Sequence, residues 1–218
     1  MATQWLLPQS FFRDTLEKLG EKLLFYSLFM FKRAILYIWE LLKVAIITIA
    51  IIVPIRYFLI IPFYVKGESM VPNFHDREYL IVDEISYRFR EPQRGEIIVF
   101  RYPQNPQEFF IKRVIGLPGE SVKIKDNSVF IYNQENPDGF KLNESYLSTE
   151  VETLPNNYSS EEKININNKQ YFVLGDNRMF SKDSRAFGPI DKSFVVGKVL
   201  LRGLPLNKIT LFKDTPKY

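Results

Sequence analysis

The chain contains no cysteine and a single histidine among its 218 residues. The first absence removes disulfide frameworks and thiolate metal sites. The second removes histidine-rich zinc sites, and no H-E-x-x-H pattern occurs. The charge is also modest, at a formal +4. No basic run or Lys/Arg-clustered helix stands out, so nothing points to nucleic acid. No internal repeat or low-complexity tract is visible. The length accommodates one globular domain of ordinary size plus an additional segment.

What is abundant is apolar sequence near the amino terminus. The stretch "VAIITIAIIVPIRYFLIIPFYV", from Val44 to Val65, is long enough for the roughly 20 residues that cross a bilayer. Arg56 interrupts it, but one arginine at about +2.5 to +3.5 kcal/mol is outweighed by many Val, Ile, Leu and Phe at about −0.3 to −0.6 each. A transmembrane helix is therefore expected over residues 44–64. It begins too late and runs too long for a cleavable leader. Residues 1–43 form a preceding segment. Phe12, Leu16, Leu19 and Leu23 recur at helical spacing, with Arg13, Asp14, Glu17, Lys18, Glu21 and Lys22 opposite. This reads as an amphipathic helix on the inner membrane surface, with a second span over its oilier half as the alternative. Basic residues before the span, among them Lys32, Arg33 and Lys43, put the amino terminus in the cytoplasm by the positive-inside rule. Residues 65–218 then lie on the outer face of a single-pass plasma (inner) membrane protein.

After Val65 the texture changes to short runs such as "EYLIVDEI", "GEIIVFRY", "EFFIKRVIGL", "SVKIK" and "SVFIY". Turn signals such as "EPQRG", "LPGE" and "KDNS" separate them. This pattern predicts a mostly β domain with antiparallel pairing. Residues from about 133 to 169, rich in Asn, Glu, Ser and Pro, look like an excursion or small subdomain inserted between core strands.

Just past the apolar stretch stands "GESMVPNF", whose Ser69 is a possible nucleophile. A serine hydroxyl needs a base to attack. His75 is too close in sequence to meet it readily. A lysine can serve if burial lowers its pKa, because desolvation disfavours the ammonium form. Lys112, within the apolar run "EFFIKRVIGLPG", fits that demand, with Arg113 beside it as a further cation. A lysine that merely blunts an edge strand gives the same pattern.

"GESMVPNF", "RGEIIVFRYP", "FFIKRVIGLPGE" and "GDNRMFSKDSRAFGPI" together resemble, in order, the motifs of the bacterial type I signal peptidases, also called leader peptidases. The resemblance covers roughly residues 44–125 and 170–200. It implies two antiparallel sheets of the signal-peptidase/LexA-like type carrying a Ser–Lys endopeptidase. Ser69 becomes the nucleophile, Lys112 the general base, and Ser181 the residue that orients the lysine. The oxyanion donors become Gly67 and Ser69. Val65, Met70, Phe74, Phe110 and Ile111 become lining of shallow substrate pockets. Arg113, Asp176, Arg178, Asp183 and Arg185 become a charged network framing the site, read here as structural. The sequence departs from the family pattern at Lys66, Asn73, Met179 and Phe180, positions beside the dyad and not on it. The resemblance implies signal peptides of secretory preproteins as substrates, membrane lipid as a partner, and no metal or cofactor. A protease dedicated to one pilus or conjugation substrate and an inactive membrane-tethered β-domain are the alternatives.

Overall fold

The structure is a computed structural model that describes residues 9–54, 60–148, 150–156 and 162–212. It divides into two compact units, residues 1–54 and 55–218.

The first unit is one continuous helix, α1, Gln9–Pro54. It joins the two segments that the sequence separates into a surface helix and a span. Its apolar part, Lys22–Val53, covers 32 residues at a mean hydropathy of 2.2 and has no share buried within the protein. That exceeds the roughly 20 residues needed to cross a hydrocarbon core. The expected span over 44–64 is thus displaced. The helix stops at Pro54, and residues 60–64 form a strand instead. Proline lacks an N–H for the ladder and clashes with the preceding turn. Arg56 lies outside the described residues. Within the helix, Lys43 pairs with Glu40 at 2.8 Å, and Arg33 lies over the Phe29 ring.

Among the described residues, the second unit is built on twelve strands in two antiparallel sheets. In chain order they are β1 (Ile60–Tyr64), β2 (Tyr79–Asp83), β3 (Ile97–Tyr102), β4 (Asn105–Gly116), β5 (Ser121–Lys125) and β6 (Ser128–Tyr132). After them come β7 (Phe140–Lys141), β8 (Ile164–Asn165), β9 (Gln170–Leu174), β10 (Ile190–Asp191), β11 (Val195–Leu204) and β12 (Thr210–Leu211). The larger sheet runs β1-β2-β11-β3-β4-β9-β10, with β12 added on β11. The smaller runs β7-β6-β5-β8. The alternating strands place every second residue inside. In β5 and β6, for example, Val122, Ile124, Val129 and Ile131 are buried while their neighbours are not. Asp126 and Asn127 close this hairpin at φ 51° and 57°, the left-handed values that two-residue hairpin turns demand.

Three apolar clusters hold the domain. One lies under β1, β2 and the Ser69 loop, around Val65, Met70, Phe74 and Leu80. A second joins the smaller sheet to Phe172 and Leu174 of β9. A third packs Ile98, Phe100, Val114 and Val173. The described residues within 133–169 belong to the same compact unit as the rest of the domain. Their strands β7 and β8 complete the smaller sheet, and Leu142 and Ile166 enter its core.

Two strand edges shape the cleft of the domain. β1 pairs only with β2, and Pro62, which cannot donate a ladder bond, sits in it. β4 pairs with β3 along most of its length but with β9 only from Arg113 onward. Among the described residues, no strand covers the outer edge of β1 or the edge of β4 before Arg113. The rings of Phe63 and Phe109 meet at 5.3 Å, so these two edges face each other.

Candidate active site

Ser69 sits on a loop that leaves β1 and turns at Gly67, whose φ of +88° is the left-handed geometry glycine tolerates without penalty. Two anchors fix the loop from below. Met70 and Phe74 are buried in the core, and the Phe74 N–H donates to the Met70 carbonyl at 2.8 Å. Neither is among the residues that line the cleft described below. Their large apolar side chains reach the core because the loop turns them under the strand. From above, Asn177 holds the loop. Its backbone N–H donates to the Ser69 carbonyl at 3.1 Å and its side-chain amide to the Glu68 carbonyl at 3.0 Å.

Lys112 projects from β4, opposite Ile98 of β3. Its Nζ lies 2.6 Å from Ser69 Oγ and donates to the Ile111 carbonyl at 2.8 Å. The residue is 3% exposed. Burial pulls the amine down to about 8, against an ordinary value near 10.4. The carboxylates of Asp183 and then Asp176 push it partly back up, and the Arg185 guanidinium pulls it further down. Arg185 is thus a cation that assists the neutral amine. His75 is exposed and does not line the cleft.

The five charged residues named from sequence are all buried and all satisfied by partners. Arg113 grips Asp176 with two bonds of 2.8 and 2.6 Å and lies over the Tyr146 ring at 3.9 Å. Arg185 grips Asp183 at 2.9 and 2.8 Å and donates to the Arg178 carbonyl at 2.6 Å. Arg178 pairs with Glu144 and also contacts Thr153 and Tyr146. Asn73, at one of the departing positions, donates to Asp176 at 2.9 Å and to the Tyr146 carbonyl at 3.2 Å. Nothing in the sequence pattern marks Glu144, Tyr146 or Thr153, because they sit in the polar segment that reads as an excursion. Asn177 is legible only as part of a turn.

Two expected roles meet a different arrangement. The Gly67 N–H donates to Asp76 Oδ1 at 2.8 Å, so it does not point freely into the cleft as an oxyanion donor. Ser181 Oγ is buried and makes no hydrogen bond among the described residues, while the amine takes the Ile111 carbonyl as its second partner. The serine lies tight against Gly175. A Cβ there would meet Ser181 Oγ at 2.1 Å and the Ser69 carbonyl oxygen at 2.5 Å, so only glycine fits.

An open cleft of about 690 Å³ runs between β1 and the Ser69 loop on one side and β4 on the other. Val65, Phe110 and Ile111 line it, together with Phe63, Phe109 and Phe180. A serine hydroxyl in such a cleft, touching an amine that burial holds partly neutral, can attack a carbonyl without histidine.

Two antiparallel sheets with this cleft describe a β-rich hydrolase of the serine peptidase class. The signal peptidase, peptidase S26 family model matches residues 38–204. The chain is 37% identical over 166 residues to signal peptidase IB of Staphylococcus aureus, covering 69% of this chain and 81% of that protein. It is 35% identical over 186 residues to signal peptidase I of Leptolyngbya laminosa, covering 82% and 86%. The crystal structure of a signal peptidase I from Enterococcus faecalis V583 matches at 35% identity and a TM-score of 0.40, over 50% of this chain and 97% of that one. The chain belongs to the signal peptidase, peptidase S26 family.

Proposed function

We propose that this chain is a membrane-anchored endopeptidase that removes signal peptides from secreted preproteins after small-x-small sites. The observation that carries the reading is the approach of a buried lysine amine to a serine hydroxyl at 2.6 Å. Ser69 Oγ attacks the scissile carbonyl while Lys112 Nζ takes its proton. The amine then passes that proton to the leaving nitrogen, which departs as the new amino terminus, leaving an acyl-Ser69 ester. Water, deprotonated by the same amine, attacks the ester, and the proton returns to Ser69 Oγ as the signal peptide leaves. A base poised near working pH suits both steps.

The Ser69 N–H serves as an oxyanion donor, and Gly67 joins it only when its N–H leaves Asp76. Ser181, with its unpaired hydroxyl beside the nucleophile loop, is the residue available to hold the amine once the substrate is bound. The substrate lies extended between the uncovered edges of β1 and β4, taking up their free backbone groups. Its small side chains face Val65, Phe110 and Ile111. The apolar half of α1 anchors the enzyme in the bilayer, with the amino terminus cytoplasmic and the β domain outside. Confining enzyme and substrate to one surface raises their encounter rate.

The test uses full-length protein in detergent micelles and an unrelated set of preproteins. Ser69→Ala and Lys112→Ala are each expected to abolish cleavage while the fold survives. Undiminished cleavage by either variant would overturn the assignment. Cleavage of only one preprotein in a broad set would favour a dedicated protease.

A further inference from the structure

Two large apolar side chains stand in the open beside the nucleophile without structural need. Met179 is 66% exposed and Phe180 80% exposed. They belong to a short helical turn, Arg178–Phe180, whose backbone is firmly held. Arg178 is buried and paired with Glu144, its carbonyl accepts from Arg185, and the Phe180 N–H donates to the Asn177 carbonyl at 3.1 Å. Asn177 in turn grips the carbonyls of Glu68 and Ser69. The turn that presents Phe180 is therefore the one that fixes the serine, so the backbone carrying the ring holds a set position relative to the reacting oxygen.

Phe180 also lines the same cleft as Ser69 and Lys112. Its turn adjoins the dyad, since the Asn177 N–H at its start donates to the Ser69 carbonyl at 3.1 Å. Phe63 and Phe109 touch each other at the far end, where β1 and the early part of β4 face one another. A peptide laid between those edges meets Phe63 and Phe109 first, passes Val65 and Ile111, reaches Ser69, and leaves over Phe180. With the small residues before the cut placed at Val65, as the proposed peptidase reading has them, what passes Phe180 is the segment just after the cut bond.

Resting on the proposed peptidase reading, we propose that Phe180, with Met179 beside it, determines specificity for the first residues of the released mature chain. The pair favours an apolar or aromatic side chain there. Burying such a side chain against an exposed ring removes apolar surface from water on both partners. Membrane lipid is the other possible occupant of an exposed phenylalanine. Continuity with the dyad cleft favours peptide, and a charged residue, Lys182, lines the same cleft.

The experiment compares two preproteins identical except at the second and third residues after the cut, Leu-Phe in one and Ser-Asp in the other. Wild-type full-length enzyme is expected to cleave the apolar version with a kcat/KM about tenfold higher, the scale of a modest apolar contact. Phe180→Ala should bring that ratio near one, Phe180→Leu should retain most of it, and Met179→Ala should reduce it in part. Phe89→Ala, which removes an equally exposed ring in the short helix Ser86–Phe89, should leave the ratio unchanged. An unchanged ratio in Phe180→Ala would overturn the proposal while leaving the peptidase reading intact. An equal fall for both substrates, with weaker binding to phosphatidylglycerol vesicles, would assign the ring to lipid and also overturn it. No Ser69-dependent cleavage of either substrate would sink the peptidase reading and this proposal together.

Discussion

Asp183 accepts two hydrogen bonds from the Arg185 guanidinium, and its Oδ2 also accepts from the Gly175 N–H at 3.0 Å. The pair is almost wholly enclosed, with the arginine side chain 5% and the aspartate side chain 0% exposed. Its two charges act on the Lys112 amine with opposite sign, the carboxylate favouring the ammonium form and the guanidinium the neutral one. Because the ions are paired, desolvation of the lysine decides its protonation.

Removing that carboxylate should therefore move the chemistry in a definite direction. Asp183→Asn deletes the strongest anionic support for the protonated amine, so the Lys112 pKa falls further. The rise of kcat/KM with pH should then begin at lower pH than in wild type. The same change leaves a buried guanidinium unmatched, which costs about 3–5 kcal/mol of stability. A pH–rate profile and chemical denaturation check the two effects. A shift of the rise to higher pH would contradict the electrostatics.

Gly175→Ala places a methyl group where Ser181 and the Ser69 carbonyl already sit. Because one of those atoms is backbone, relief requires the nucleophile loop itself to move. Overpacking of this kind costs about 1–3 kcal/mol. A displaced serine costs far more in rate, about a hundredfold for a shift near 1 Å. Activity and melting temperature measured together should show a loss of rate larger than the loss of stability implies.

Asn177→Ala removes one hydrogen bond from the Glu68 carbonyl. The stability loss should be about 1 kcal/mol, with kcat falling about tenfold or more as the loop loosens. Unchanged kcat would show that Met70 and Phe74 suffice to hold the serine.

Glu144→Ala tests whether the segment at residues 133–169 supports the site. Arg178 is 1% exposed at its side chain and depends on Glu144 for its counter-charge. Its loss should destabilise the domain by about 3–5 kcal/mol, read from denaturant midpoints. A change below about 0.5 kcal/mol would make the contact incidental.

The strands are legible in sequence because their alternation is written locally, whereas Phe110, Ile111 and the pairing of Lys112 with Ser69 come from the family resemblance, since an apolar run holding one charge fits an edge-strand lysine equally well. What is not legible depends on distance in the chain. Glu144 and Thr153 reach Arg178 from a polar stretch whose composition resembles any surface loop. Met70 and Phe74 enter as pocket lining through the family resemblance, which does not show which way the loop turns them. The apolar stretch before the domain is divided wrongly for a related reason. Ile60–Tyr64 is as oily as a span, yet it pairs with β2, and hydropathy does not distinguish lipid from a strand partner. Gly67 reads as a free amide donor, but Asp76, nine residues on, occupies its N–H.

Whether a lysine held partly neutral by burial activates the serine is tested most directly by the pH dependence of kcat/KM for preprotein cleavage by full-length enzyme. A rise governed by a single group near 8 is expected, absent in Lys112→Ala because no activity remains. A profile that is flat from about pH 6 to 10 would contradict it.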